Sequence, residues 1–128
     1  MKKFYSFGAD RFGCTDTEKT FSSLVIAGDK LYLSGMNGFD LDGNFHGESD
    51  PGAQAEQACD NILKLLEEND LPITSLCRMR VYVTNRDYRT AVYGAIGEKF
   101  AGTSVSSTGL TVKALPLSGM LMQIDVEA

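Results

Sequence analysis

The side chains of this chain that could do chemistry are few, and the most useful sit in its last third. Met120-Leu121-Met122-Gln123-Ile124-Asp125-Val126-Glu127 alternates apolar and polar residues, so it reads as a strand with an acidic group near its end. A carboxylate at Asp125 can hold a water molecule or exchange a proton with a substrate. It can equally be a solvated strand residue, and alternation alone does not choose. Just upstream, Ser107 and Thr108 open the run to Leu115-Pro116. Their hydroxyls suit an anionic or carbonyl group, or are the ordinary polar residues of a strand. Arg78, Arg80, Arg86 and Lys113 are cations that either grip an anion or pair with Asp and Glu.

Other chemistries lack their residues. His46 is the one histidine and lies in a Gly/Asp-rich loop, which suits a satisfied surface group better than a triad base. Cys14, Cys59 and Cys77 form no CxxC pair, so neither a structural zinc site nor a redox dithiol is expected. Cys59 and Cys77 fall at expected core positions, where a thiol acts as a small hydrophobe. No metal and no cofactor is implied. The Gly35–Gly47 loop is acidic and lacks the lysine and helix start of a phosphate-binding loop. A net charge of -5 disfavours a nucleic-acid partner, which needs a basic surface. No apolar run approaches the ~20 residues that span a bilayer, and residues 4–11 make no signal-peptide core. The expectation is a cytoplasmic protein of one domain, residues 1–128.

The elements that position these groups follow from periodicity. Lys3 to Phe7 suits a short strand. Ser22 to Ala27 and Lys30 to Ser34 are β-rich runs separated by Gly28-Asp29, a two-residue hairpin signal. Met36 to Ser49 is a glycine-rich loop with a tight turn at Asp42-Gly43. Asp50-Pro51 starts a helix, since the carboxylate caps free N–H groups and proline at the first position needs no partner. Ala55, Ala58, Cys59, Ile62, Leu65 and Leu66 form its apolar stripe, and it ends between Glu67 and Pro72. From Cys77 the period is two, with Met79, Val81 and Val83 on one face and Arg78, Arg80, Tyr82 and Thr84 on the other. A second helix runs from about Asp87 to Gly102. Two strands joined by a Pro-Leu-Ser-Gly turn close the chain. The result is an α+β, two-layer sandwich: a mixed sheet with two helices on one face. The opposite face, with Tyr32 and Tyr82 among polar groups, calls for a covering partner, most simply another copy of the chain.

This order resembles the Rid/YjgF family, whose fold is also called chorismate-mutase-like. The resemblance runs from about Thr20 onward. It rests on Phe21-Ser22-Ser23, Leu31-Tyr32-Leu33-Ser34-Gly35, Val81-Tyr82-Val83-Thr84-Asn85, Leu115-Pro116 and Ile124-Asp125-Val126-Glu127-Ala128. It implies a homotrimer with inward-facing sheets and small-molecule sites in the clefts between subunits. By resemblance, Phe21 and Ser22 wall the cleft, and a backbone group at Ser34 and Gly35 contacts substrate. Asp125 matches the glutamate that holds the attacking water, on a side chain one methylene shorter. The arginine that grips a substrate carboxylate falls at Ser107, which cannot supply its charged fork. Val92 lies near the asparagine that some relatives carry. The pattern looks like a divergent branch without the arginine.

The implied function is cofactor-free hydrolytic deamination of enamine or imine metabolites. Asp125 would orient the water, and Phe21, Ser34, Gly35, Ser107 and Thr108 would line the site. Imines of the 2-iminopropanoate type are then expected to be poor substrates. The alternative is a non-catalytic metabolite-binding or regulatory trimer. A third reading, an endoribonuclease or translation inhibitor, is disfavoured by the acidic composition.

Overall fold

The computed structural model describes residues 4–5, as backbone, and residues 23–128. Six strands form one sheet: β1 (Phe4–Tyr5), β2 (Leu24–Ala27), β3 (Lys30–Met36), β4 (Arg78–Val83), β5 (Ser106–Thr111) and β6 (Met122–Glu127). Their order across the sheet is β1-β2-β3-β6-β4-β5. Only β4 and β5 run parallel; the other neighbours are antiparallel, so the sheet is mixed. Two helices, α1 (Pro51–Glu68) and α2 (Arg89–Lys99), pack against each other, and α1 lies on β3 and β6.

The local signals explain these elements. Ala27 pairs with Lys30 across Gly28-Asp29, and Gly28 takes a φ of +64° that a side chain would oppose. Asp50 caps α1: its side chain accepts from the Ala53 N–H at 3.1 Å, with Pro51 at the first helical position. The helix closes before Pro72 through a left-handed Asp70, φ +57°, which lets the Leu71 N–H reach the Leu66 carbonyl at 2.9 Å. Its stripe of Ala55, Ala58, Cys59, Ile62, Leu65 and Leu66 is buried against Leu33, Val81, Ile124 and their neighbours. Each fully buried aliphatic side chain here contributes about 1.5–3 kcal/mol. The second helix begins later than the periodicity suggests. A 3-10 turn over Arg86–Tyr88 comes first, with Asn85 accepting from the Asp87 N–H at 2.9 Å. Val92, Ala95, Ile96 and Phe100 then face the core.

One expectation needs correcting. Cys77 is exposed, whereas Cys59 is buried. Alternation from Met79 would place Cys77 inside, but Leu76 takes the inward position as the chain leaves the 3-10 turn Ile73–Ser75, and β4 starts only at Arg78. The Cys77 thiol turns to the Glu127 carbonyl at 3.3 Å. The two closing strands, joined through the turn at residues 116–119, are not sheet neighbours, because β4 lies between β5 and β6. Local pattern carries no information about such a long-range order.

A buried glutamine fastens the periphery. Gln54 of α1 is fully buried, and its amide donates to the carbonyls of Gly47 (2.9 Å) and Gly119 (3.0 Å). Its oxygen accepts from the Leu121 N–H at 2.9 Å. One side chain thus ties the long loop and the β5–β6 connection to the helix.

Candidate functional site

Strand pairing decides which side chains share a face. Leu24, Leu33, Met79, Val81, Ile124 and Val126 point toward the helices and are buried. The alternate residues form the open face. Across it, Tyr32 pairs with Glu127, Glu127 with Arg78, and Arg78 with Ser106. One pleat further along, Asp125 pairs with Arg80, and Arg80 with Thr108. Tyr82 lies beyond them, paired with Gln123 and Leu110. A shallow cavity of about 180 Å³ opens on this face, lined by Tyr32, Ser34, Arg78, Arg80, Asp125 and Glu127 among others.

A bulge sets the Asp125 side chain. Leu33 pairs with Val126 and Met36 with Ile124, so Ser34 and Gly35 together oppose the single residue Asp125. Gly35 takes φ +75°, a conformation that favours glycine, and its N–H leaves the ladder to donate to Asp125 Oδ1 at 2.8 Å. Its carbonyl accepts from the side chain of buried Asn37 at 2.9 Å. The Gln123 amide adds a longer bond to Asp125 Oδ1 at 3.4 Å. Burial, then the Asp125 charge and a hydrogen bond to that carboxylate, hold the Tyr82 hydroxyl above its usual pKa; Arg80 works in the opposite direction. Tyr82 is therefore a neutral phenol at neutral pH.

The expected site residues separate into groups. Asp125 and Ser34 line the cavity, and Gly35 is bonded to Asp125. Both backbone groups of Gly35 are thus engaged within the chain rather than left open. Thr108 shares the open face two strands away, and it is exposed. Ser107 pairs with buried Met79, which puts it on the helix side of the sheet, away from Asp125. Gly109, two residues on, confirms that parity, since a Cβ there would meet the Tyr93 hydroxyl of α2. Phe21, like Ser22 and Cys14, lies outside the described residues.

Of the four candidate cations, Arg78 and Arg80 line the cavity, whereas Arg86 and Lys113 do not. Among the described residues the ion pairs are Asp40–His46 and Asp60–Lys99, so neither Arg78 nor Arg80 forms the structural ion pair considered for it. His46 is half-exposed and lies 2.7 Å from Asp40, a satisfied loop histidine. The Asn44 N–H, then His46, hold the Asp40 carboxyl down to about 2. Sequence reasoning missed Arg89. Its guanidinium stacks over the Tyr93 ring at 5.5 Å and lies on the helix side of Gly109. A charged residue opening a helix carries no local mark of such a contact.

The endoribonuclease L-PSP family model matches residues 14–128. An uncharacterized protein of Streptomyces coelicolor is 32% identical over 108 residues, covering 84% of this chain and 80% of that protein. Among solved structures, YyfA from Yersinia pestis, of unknown function in the conserved Rid family, is 25% identical with a TM-score of 0.77. That match covers 84% of this chain and 86% of YyfA. A Mycobacterium tuberculosis member of the YjgF/YER057c/UK114 family is 23% identical with a TM-score of 0.78, over 100% of this chain and 98% of that one, and shows a shared fold. Among the described residues, no helix is long and apolar enough to cross a membrane.

Proposed function

Because this chain belongs to the endoribonuclease L-PSP family, the Rid/YjgF group, we propose that it is a cytoplasmic homotrimer that hydrolyses the C=N bond of small enamine or imine metabolites. One observation carries the reading: Asp125 is fixed by the Gly35 N–H and faces a cavity on the open sheet surface. An anchored carboxylate there is positioned to hold water against a bound substrate.

The chemistry asks little of the protein. An enamine first takes a proton on carbon and gives one up from nitrogen, becoming an imine. Water then adds to the imine carbon while the Asp125 carboxylate accepts its proton. That proton passes to the nitrogen to give a carbinolamine. The new hydroxyl's proton then follows it to the nitrogen, and the C–N bond breaks with its electron pair on nitrogen, leaving a carbonyl compound and ammonia. Tyr82, held neutral, donates its hydrogen bond to the carboxylate and keeps it oriented. No cofactor enters this scheme.

Assembly follows from the open face, where Tyr32 is 45% and Leu110 43% exposed. Turning three such faces inward covers both and converts shallow cavities into clefts. Ser107, on the other side of its strand, then reaches a cleft only across a seam. With serine in place of the arginine, 2-iminopropanoate-type imines held at that strand edge are disfavoured.

The test is ammonia release from a panel of freshly generated imines by the wild type and Asp125→Asn. Turnover by the wild type that collapses in the variant supports the reading. A variant with unchanged turnover, or one altered only in ligand affinity, supports a binding protein instead. The net charge of -5 disfavours the ribonuclease reading, which needs a basic surface.

A further inference from the structure

We infer that Arg78 and Arg80 form a carboxylate clamp, so that the ligand of this cavity is an anion. The inference rests on the cavity being the site proposed above, though not on its chemistry.

Four half-buried charges form a checkered array on the open face. Arg80 is the register partner of Asp125, and Arg78 that of Glu127, on adjacent strands. Opposite charges so placed normally close into ion pairs. Here neither arginine does so among the described residues, although all four side chains line the cavity. Asp125 Oδ1 is instead held by the Gly35 N–H of β3, and the carboxylate meets the Tyr82 hydroxyl rather than Arg80 on β4. Among the described residues, two guanidinium forks are therefore without a carboxylate at the cavity wall, where partial desolvation makes an external anion worth binding. Closing the cavity with a neighbouring subunit lowers the local dielectric and strengthens the attraction.

The fork geometry suits a planar carboxylate, and Ser34 adds a hydroxyl to the cavity lining. Arg80 stands level with Asp125, while Arg78 lies one pleat repeat, about 7 Å, further along. A carboxylate spanning both is displaced from the Asp125 level by roughly 3 Å. The favoured ligand is thus an acid whose carboxylate stands a few bonds from its C=N or C=O carbon. A 2-imino acid, with the two groups on adjacent carbons, fits this spacing poorly.

The test is calorimetric or NMR titration of the assembled protein with 4-oxopentanoate, and with 4-oxopentanamide as its neutral counterpart. The acid is expected to bind at least about tenfold more tightly than the amide. Arg78→Gln and Arg80→Gln should each erase most of that ratio, and Arg80→Lys should keep part of it. Equal binding of acid and amide, no binding at millimolar concentration, or unchanged ratios in both glutamine variants overturn the clamp. If a glutamine variant fails to fold, the wild-type ratio and Arg80→Lys still decide. Arginine-dependent acid binding without any imine turnover removes the proposed chemistry and leaves the clamp standing. Turnover indifferent to the acid group does the reverse.

Discussion

The Gly35 N–H donates to Asp125 Oδ1 at 2.8 Å, joining two residues 90 positions apart through a bulge in the sheet. The one backbone donor of a strand-interior glycine is spent on the acid proposed above to hold the water. This bond separates the structural role of the side chain from its chemical one.

Asp125→Asn keeps an oxygen for Gly35 and loses the proton acceptor. It is expected to fold with a midpoint close to wild type, while turnover falls at least about a hundredfold. Asp125→Ala loses both roles and should cost a further 1–2 kcal/mol or so in denaturant unfolding. An Asn variant as unstable as the Ala variant would show that the Gly35 bond contributes nothing.

Gln54→Leu preserves volume but strands the Gly47 and Gly119 carbonyls and the Leu121 N–H. A loss on the order of 3 kcal/mol is expected by urea unfolding. Amide exchange should accelerate first at Leu121 and around Gly47, ahead of the strands.

Asp40 organises its loop by accepting from the N–H groups of Asn44 (2.9 Å) and Asp42 (3.0 Å). Its carboxyl is depressed from 3.8 to about 2 in the folded chain. The sign is that of a lowered acid: its stabilisation is complete above about pH 4 and is lost as pH falls through 2. Structure around Asn44 should therefore loosen in strong acid, as read by its amide shift. Asp40→Asn should flatten that dependence.

The two described thiols should behave oppositely. Burial pushes the Cys59 thiol up to about 12, whereas Cys77 is exposed. In a Cys14→Ser background, a thiol reagent is expected to modify Cys77 and to reach Cys59 only on unfolding. Rapid labelling of both would contradict the buried helix stripe.

Leu110→Asp and Tyr32→Asp place charge on the face proposed to be covered. Sedimentation should show three-chain particles for the wild type and lighter ones for each variant at the same concentration. A monodisperse single-chain wild type would remove the clefts.

The sequence made local features legible and left long-range ones hidden. The Asp50-Pro51 cap, the α1 stripe and the Gly28-Asp29 hairpin each depend on residues within a few positions, so their pattern suffices. The insertion of β6 between β3 and β4 depends on which apolar faces meet after folding. The parallel register of β5 on β4, equally non-local, decides that Ser107 sits behind the sheet and Thr108 in front, a parity no single strand reveals. Gly35 did carry a signal, because glycine inside a strand pattern marks a bulge. What it could not convey was the partner waiting opposite. Arg78 and Arg80 fall on the open face, as alternation predicts; that Arg80 forms no ion pair with Asp125 among the described residues goes with the Gly35 bond to that carboxylate, which no local pattern shows.

Strand β5 is exposed at all six of its residues and, among the described residues, pairs on one side only, with β4. Its outer margin is an open template, and the sequence Ser106-Ser107-Thr108-Gly109-Leu110-Thr111 has no charge to repel an incoming chain. Whatever shields that margin in the cell, a crowded preparation of isolated subunits has an easy route to endless head-to-edge stacking. A lysine introduced there would trade a contact surface for shelf life.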